Sequence, residues 1–172
     1  MSAIETILQD WSANRRNPKA QLFLASFRLA QMIRNGGRIS FILGVPYLLF
    51  HRIFFEWLWG IELPWGTKVG KGLRIFHGVG LVVNDRSIIG EGVILRHCTT
   101  LGVKETGEFG TGEAPKIGNY VDIGSNTVIL GGVTVGDYAV IGAGAVIVED
   151  IPDGAIVVGN PGRIIKYRVV NL

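Results

Sequence analysis

Six branched aliphatic residues, Ile117, Ile123, Ile129, Val135, Ile141 and Ile147, follow one another at an unbroken spacing of six. A helix repeats its buried face about every 3.6 residues and a half-buried strand every two, so a strict six demands a chain that turns a corner once per repeat. A second core-compatible residue stands four places after each aliphatic: Val121, Thr127, Val133, Ala139, Ala145 and Ile151. Glycine follows four of the aliphatics, at Gly118, Gly124, Gly136 and Gly142. It is the residue for places where backbones approach closely or φ is unusual. The pattern predicts a parallel β-helix, in which three flat sides of about six residues form one coil and each coil buries its aliphatics against the next.

The period begins earlier and breaks twice. Val69, Ile75 and Leu81 keep it, and it resumes two residues out of phase at Val83, Ile89, Leu95 and Leu101. From Leu101 to Ile117 the chain is ten residues longer than one side. The excess, residues 103–114, is polar, glycine-rich and aperiodic, and reads as a loop extruded from a regular solenoid. Long loops on rigid scaffolds tend to carry function.

With 172 residues, 48% of them hydrophobic and 18% charged, the chain can bury a core. A net charge of +3 is too mild for a nucleic-acid surface and is compatible with a small anionic ligand. The single cysteine, Cys98, cannot form an internal disulfide, which suits a reducing compartment. The first residues carry Glu5 and Asp10 where a secretory leader would be basic and then apolar, so no signal peptide is expected.

Residues 1–59 lack the six-residue period and read as a helical cap, followed by a β-helix over 60–167 and a short tail, 168–172. Ser2 and Glu5 suit a capping box. Pro18 suits the first turn of a second helix ending near Asn35, at Gly36 and Gly37. A third helix is expected from about Val45 to Trp59, with Pro46 in its first turn. The segment 39–61 is strongly apolar, but Gly44, Pro46, His51, Arg52 and Glu56 interrupt it, whereas a bilayer span needs about 20 apolar residues. Leu48, Leu49, Ile53, Phe54 and Trp57 are expected to cover the open end of the β-helix. A second reading gives Phe50, Phe55 and Trp59 a peripheral membrane contact.

Three histidines are candidates for chemistry. His51, in the cap, reads as structural. His77 and His97 each fall two residues after an inward aliphatic, Ile75 and Leu95, so both are expected at turns, near one another on adjacent coils. An imidazole there can serve as a general base. Two imidazoles without a third ligand do not make a zinc site, and no metal is expected. The ending GNPGRIIKYR gathers Arg163, Lys166 and Arg168 after a turn. Such a cluster can hold a phosphate, and reads equally as the solvated end of a basic chain.

The six-residue run, the extruded loop and the ending DIPDGAIVVGNPGRIIK resemble the left-handed β-helix acyltransferases, over roughly residues 60–167. The stretch IELPWGTKVGKGLRIFHGVG resembles the catalytic segment of the serine acetyltransferase branch, in which an acidic residue precedes a histidine by fifteen positions. The resemblance implies His77 as general base, Glu62 as its orienting acid, and backbone donors at Gly102 and Val103 for the oxyanion. It further implies that acetyl-CoA is the co-substrate, held near Ser125, Ala143, Arg163 and Lys166. In place of the family's coenzyme-contacting Thr-Lys pair stand Val148 and Glu149.

The acceptor side departs from the amino-acid enzymes. Phe76 stands where they have an aspartate, and Glu113 and Ala114 where they have Arg-His. Phe76 with the pair Arg96 and His97 is closer to the polysaccharide O-acetyltransferases of the colanic-acid type. The expectation is therefore an O-acetyltransferase for a sugar hydroxyl in exopolysaccharide or capsule precursor synthesis. By the same resemblance it is a homotrimer with active sites between subunits, in the cytoplasm or at the inner face of the membrane. The alternatives are a serine O-acetyltransferase, a metal-bearing β-helix of the γ-type carbonic anhydrase kind, and a non-catalytic scaffold.

Overall fold

The computed structural model describes residues 2–104 and 112–168. Residues 105–111 of the expected loop, and the tail after 168, lie outside the described residues. The chain from Ile61 onward winds into a triangular β-helix with three sheets as its faces. The first face stacks β1 (Ile61–Glu62), β4 (Leu81–Val83), β7 (Thr100–Gly102), β10 (Val128–Leu130) and β13 (Val146–Ile147). The second stacks β2 (Lys68–Val69), β5 (Ile88–Ile89), β8 (Lys116–Ile117) and β11 (Thr134–Val135). The third stacks β3 (Arg74–Phe76), β6 (Ile94–Arg96), β9 (Asp122–Ile123), β12 (Val140–Ile141) and β14 (Ala155–Val158), and is closed by β15 (Arg163–Tyr167). Every pairing is parallel except β14 with β15.

The register explains the period. Leu101, Ile129 and Ile147 stand one above another, as do Ile89, Ile117 and Val135. All are buried, and so are all six of the residues four places on. A fully buried aliphatic of this size contributes about 1.5–3 kcal/mol, so the columns are the main stabilising term. Gly124 shows why glycine recurs at the corners, since a Cβ there would lie 2.7 Å from Ala143 Cα in the next coil. The two-residue phase shift lies at the corner His77–Gly80. Leu81 pairs with Ile61 below and Val83 with Leu101 above, and both point inward.

The helical region caps the first coil. Helix α1 (Ala3–Ile7) opens on the expected capping box between Ser2 and Glu5. Helix α2 (Pro18–Asn35) has Asn17 as its cap and buries Ala20, Phe23, Leu24 and Phe27 against the end of the prism. Helix α3 departs from expectation: it runs Gly37–His51, eight residues earlier than predicted, so Pro46 is internal. Gly37, at φ +87°, reverses the chain within one residue, and the helix resumes at once. A π-helical stretch, Arg52–Leu58, continues it.

The covering of the open end also differs. Leu48 is buried and Phe54 half-buried, but Leu49, Ile53 and Trp57 are exposed and cover nothing. Phe55 is core, packed on Phe23 and Trp59, and cannot face a membrane; Trp59 is half-buried, and only Phe50 of the three expected there is exposed. The stripe Leu48, His51, Phe55 turns inward because α3 lies along α2, which leaves the opposite side uncovered.

Polar side chains finish the cap. The exposed edge of the first coil presents unpaired backbone groups, and Asp10 accepts from Leu73 N–H at 2.9 Å while Asn14 accepts from Ile75 N–H at 3.1 Å. Arg28, buried and paired with Asp10 at 2.7 Å, donates to the carbonyls of Val69 and Gly70. Removing one partner of a buried pair leaves the other uncompensated. Arg28→Ala should lower unfolding free energy by about 3–5 kcal/mol, read from urea titration.

His51 is structural, as expected, and lies among Phe23, Phe55 and Trp65 with Ser26 Oγ 2.9 Å from its Nδ1. Burial, then the charge of Arg52, pushes its pKa from 6.5 down to about 4. The folded state thus keeps His51 neutral while the unfolded chain takes a proton below about pH 6.5. Its contribution is intact above that pH and is lost progressively down to about pH 4, roughly 3 kcal/mol in all. In urea titrations, His51→Gln should flatten this acid slope.

Candidate active site

One corner of the prism, where the third face passes into the first, collects the predicted residues in a vertical column. Its rungs are backbone hydrogen bonds: Gly80 N–H to Gly60 at 2.7 Å, Cys98 N–H to Val79 at 2.9 Å, Asn126 N–H to His97 at 3.2 Å, and Gly144 N–H to Ser125 at 2.9 Å. His97, Ser125 and Ala143 therefore occupy successive rungs, each preceding a residue at positive φ. The turn Gly159–Gly162 follows, with Val146 N–H donating to Gly159 at 3.0 Å.

His77 belongs to the same corner but stands outside the rungs, in the two inserted residues. Phe76 C=O accepts from Gly78 N–H at 2.9 Å, so the hydrogen bond closes over His77 at φ +68°. Such γ-turn geometry is rare and strained for a residue with a side chain. The turn carries the imidazole outward, where it is exposed. Because β3 and β6 pair Phe76 with Arg96, the residues after them also meet: the His77 and His97 rings lie 5.8 Å apart, nearly perpendicular. His97 is half-buried, and its Nδ1 is buried without a hydrogen-bond partner.

The flat side before these histidines is organised around Phe76. Arg74 lies 5.1 Å from the ring centroid and Arg96 5.6 Å. Asp122, on the next coil, pairs with Arg96, which also donates to the Ile123 carbonyl at 2.7 Å. Arg74 and Asp122 escape the sequence reading. Arg74 shares the outward face of Phe76 at a spacing of two and was legible as a neighbour. Asp122 lies 26 residues from Arg96 across the loop, and only the coil register brings them together.

Other predicted residues stand apart. Glu62 is exposed on β1 and lines a groove with Arg52, Val82, Thr100, Gly102 and Val103. Among the described residues no hydrogen bond joins it to His77. Gly102 ends β7, at the opposite end of the first face from the His97 corner. Its carbonyl accepts from Gly131 N–H at 3.0 Å. Arg163 and Lys166 are exposed on β15, and Arg163 borders a cavity of about 310 Å³ with Val148, Glu149 and Asp150. Ala114 is buried and Glu113 exposed at the end of the loop. Among the described residues no three His, Cys, Asp or Glu side chains cluster as a metal would require.

Known proteins match this architecture. Residues 114–149 fit the model of the bacterial transferase hexapeptide (six repeats). The chain is 30% identical over 161 residues to the "Putative colanic acid biosynthesis acetyltransferase WcaB" of Escherichia coli (strain K12), covering 92% of this chain and 98% of that one. It belongs to the hexapeptide-repeat acetyltransferases. This acetyltransferase also matches the serine acetyltransferase of Helicobacter pylori (strain ATCC 700392 / 26695), 40% identical over 106 residues, 62% of this chain and 61% of the other. Among solved structures, soybean serine acetyltransferase apoenzyme superposes with a TM-score of 0.78 at 29% identity, covering 95% of this chain and 69% of that one. Serine acetyltransferase from Brucella abortus strain S19 in complex with coenzyme A superposes at 0.77 and 26% identity, covering 95% and 68%.

Proposed function

We propose that this acetyltransferase moves the acetyl group of acetyl-CoA to a sugar hydroxyl of an exopolysaccharide or capsule precursor. The observation that carries the reading is the surface beside His77. A zwitterionic amino acid needs an unpaired carboxylate there to meet its ammonium, and the corner offers an aromatic ring flanked by two guanidinium groups, with the one carboxylate described beside them, Asp122, already paired to Arg96. An apolar face with hydrogen-bond donors at its rim suits a sugar ring, and cations suit an anionic one. The end-to-end match with the colanic acid protein supports the same acceptor class.

In this mechanism the acceptor oxygen attacks the thioester carbonyl carbon while His77 takes the hydroxyl proton. The carbon–sulfur bond then breaks, and the imidazolium returns that proton to the departing coenzyme A sulfur. Backbone N–H groups at Gly102 and Val103 are the proposed oxyanion donors, and Glu62, which lines the same groove, is the proposed support for the imidazolium when subunit edges meet. The column through Ser125 and Ala143 is the proposed path of the coenzyme arm, with Arg163 and Lys166 toward its phosphates.

His77 and the Gly102–Val103 pair lie on different edges of the prism. This supports a homotrimer in which the edge of one subunit faces that of the next. With acetyl-CoA as donor, the reaction belongs in the cytoplasm. The second reading, serine O-acetylation, draws on the solved neighbours, among them soybean serine acetyltransferase complexed with serine.

Coenzyme A release measured with oligosaccharide precursors and with free serine tests the acceptor; efficient turnover of serine would sink the sugar reading. His77→Ala should lower kcat at least about 10²-fold with little change in acetyl-CoA affinity, the usual scale of a general base. Glu62→Ala should do less. If His97→Ala abolishes turnover while His77→Ala does not, the base assignment fails. Asp122→Ala, by freeing Arg96, should raise acceptor KM several-fold and leave acetyl-CoA KM unchanged.

A further inference from the structure

The continuous helix of α3 and its π-helical extension, residues 37–58, is apolar on the side that faces away from the protein. By length and composition it could cross a bilayer, and only 22% of its most apolar 18-residue window is buried. Ten of its apolar side chains are exposed, with Ile39 and Leu43 at 76% and Trp57 at 73%. A helix apolar all round normally sits within a core or in lipid. It cannot leave the protein alone, because Leu48, His51 and Phe55 pack inward and Ser26 bonds both Tyr47 and His51. It is therefore built to lie along a surface.

Charge says which surface. Residues 1–59 hold seven Lys and Arg against three Asp and Glu, while residues 60–172 hold ten against eleven. Of the three acids in the cap, Asp10 is consumed by Arg28 and Glu56 pairs with Arg52 at 3.3 Å. Arg34, in the last turn of α2, and Arg38, in the first turn of α3, are exposed. An apolar groove of about 440 Å³ between α2 and α3, lined by Leu22, Leu29, Tyr47, Phe50 and Phe54, continues the exposed face at Phe50. It reaches Trp59, which precedes Gly60 at the foot of the catalytic column.

We propose that this helix lies in the plane of an anionic bilayer, with Ile39, Leu43, Ile53, Trp57 and Leu58 in the acyl boundary and Arg34 and Arg38 at the headgroups. Interfacial helices combine buried apolar area with cationic attraction in this way. The docking holds the catalytic corner beside the membrane, where a lipid-borne acceptor is within reach.

The test is co-sedimentation of the full chain with phosphatidylcholine vesicles, with and without about one-third phosphatidylglycerol, a fraction high enough for each cation to find an anionic headgroup. Binding should need the anionic lipid and fall with salt. Leu43→Glu combined with Trp57→Glu should lose at least tenfold in binding, with circular dichroism and particle mass unchanged. Arg34→Ala combined with Arg38→Ala should weaken binding and flatten its salt dependence. As a second readout, brominated lipid should quench the wild-type tryptophan emission, and Trp57→Phe should remove most of that quenching. The proposal is overturned if the wild type stays in the supernatant, or if the glutamate variant binds as the wild type does. It is overturned equally if that variant changes particle mass, because a second copy of the chain then covers the face. None of these readouts depends on which acceptor is acetylated.

Discussion

A β-helix has an end, and here everything rests on how that end is closed. The first coil has no coil below it, so its inward aliphatics and its backbone groups would both meet water. The two problems are solved by different chemistry from the same cap. Phe23, Leu24, Phe27 and Phe55 cover the aliphatics, while Asp10, Asn14, Asn17, Arg28 and Gln31 answer the backbone of β2, β3 and the turns beside them. An open sheet edge is a template for unwanted pairing, and a row of side chains matched to it removes that hazard. The buried Arg28–Asp10 pair is retained because each member also bonds the edge it covers.

Above that base the coils are regular, and the candidate chemistry lies where regularity fails. The two inserted residues at the corner before β4 put His77 in a turn that a strict repeat would not contain. The strain of that turn is held by Ile61 and Ile75, which pack so near Gly78 that a Cβ there would meet them within about 3 Å. Pairing of β3 with β6 then sets His97 beside His77 and Arg96 beside Phe76. A scaffold built from stacked aliphatics is rigid enough to hold such a constellation without help from the loop.

The period was legible because a buried position in a stacked coil accepts few side chains, so Ile117 through Ile147 could hardly vary. The proximity of His77 and His97 was legible for the same reason, since both count from an inward residue. Helix α3 was misread because Gly37 and Pro46 look like punctuation, whereas one is a tight reversal and the other is tolerated inside a helix whose outer side is open. Leu49, Ile53 and Trp57 were assigned to the cap because composition shows that a segment is apolar without showing which way it faces. That is settled by packing against α2.

The sequence alone determined that the chain coils with a period of six, where the coils break, and which side chains fill the interior of the coils, since each follows from spacing and volume along the chain. Tertiary structure decided what spacing cannot: that Asp122 pins Arg96 across the loop, that Glu62 lines a groove with Arg52 and Gly102, and that the most apolar helix shows its outer side to the surroundings. These depend on which coil lies above which and how the cap is turned. Contacts between residues distant in sequence exist only once the whole prism is built.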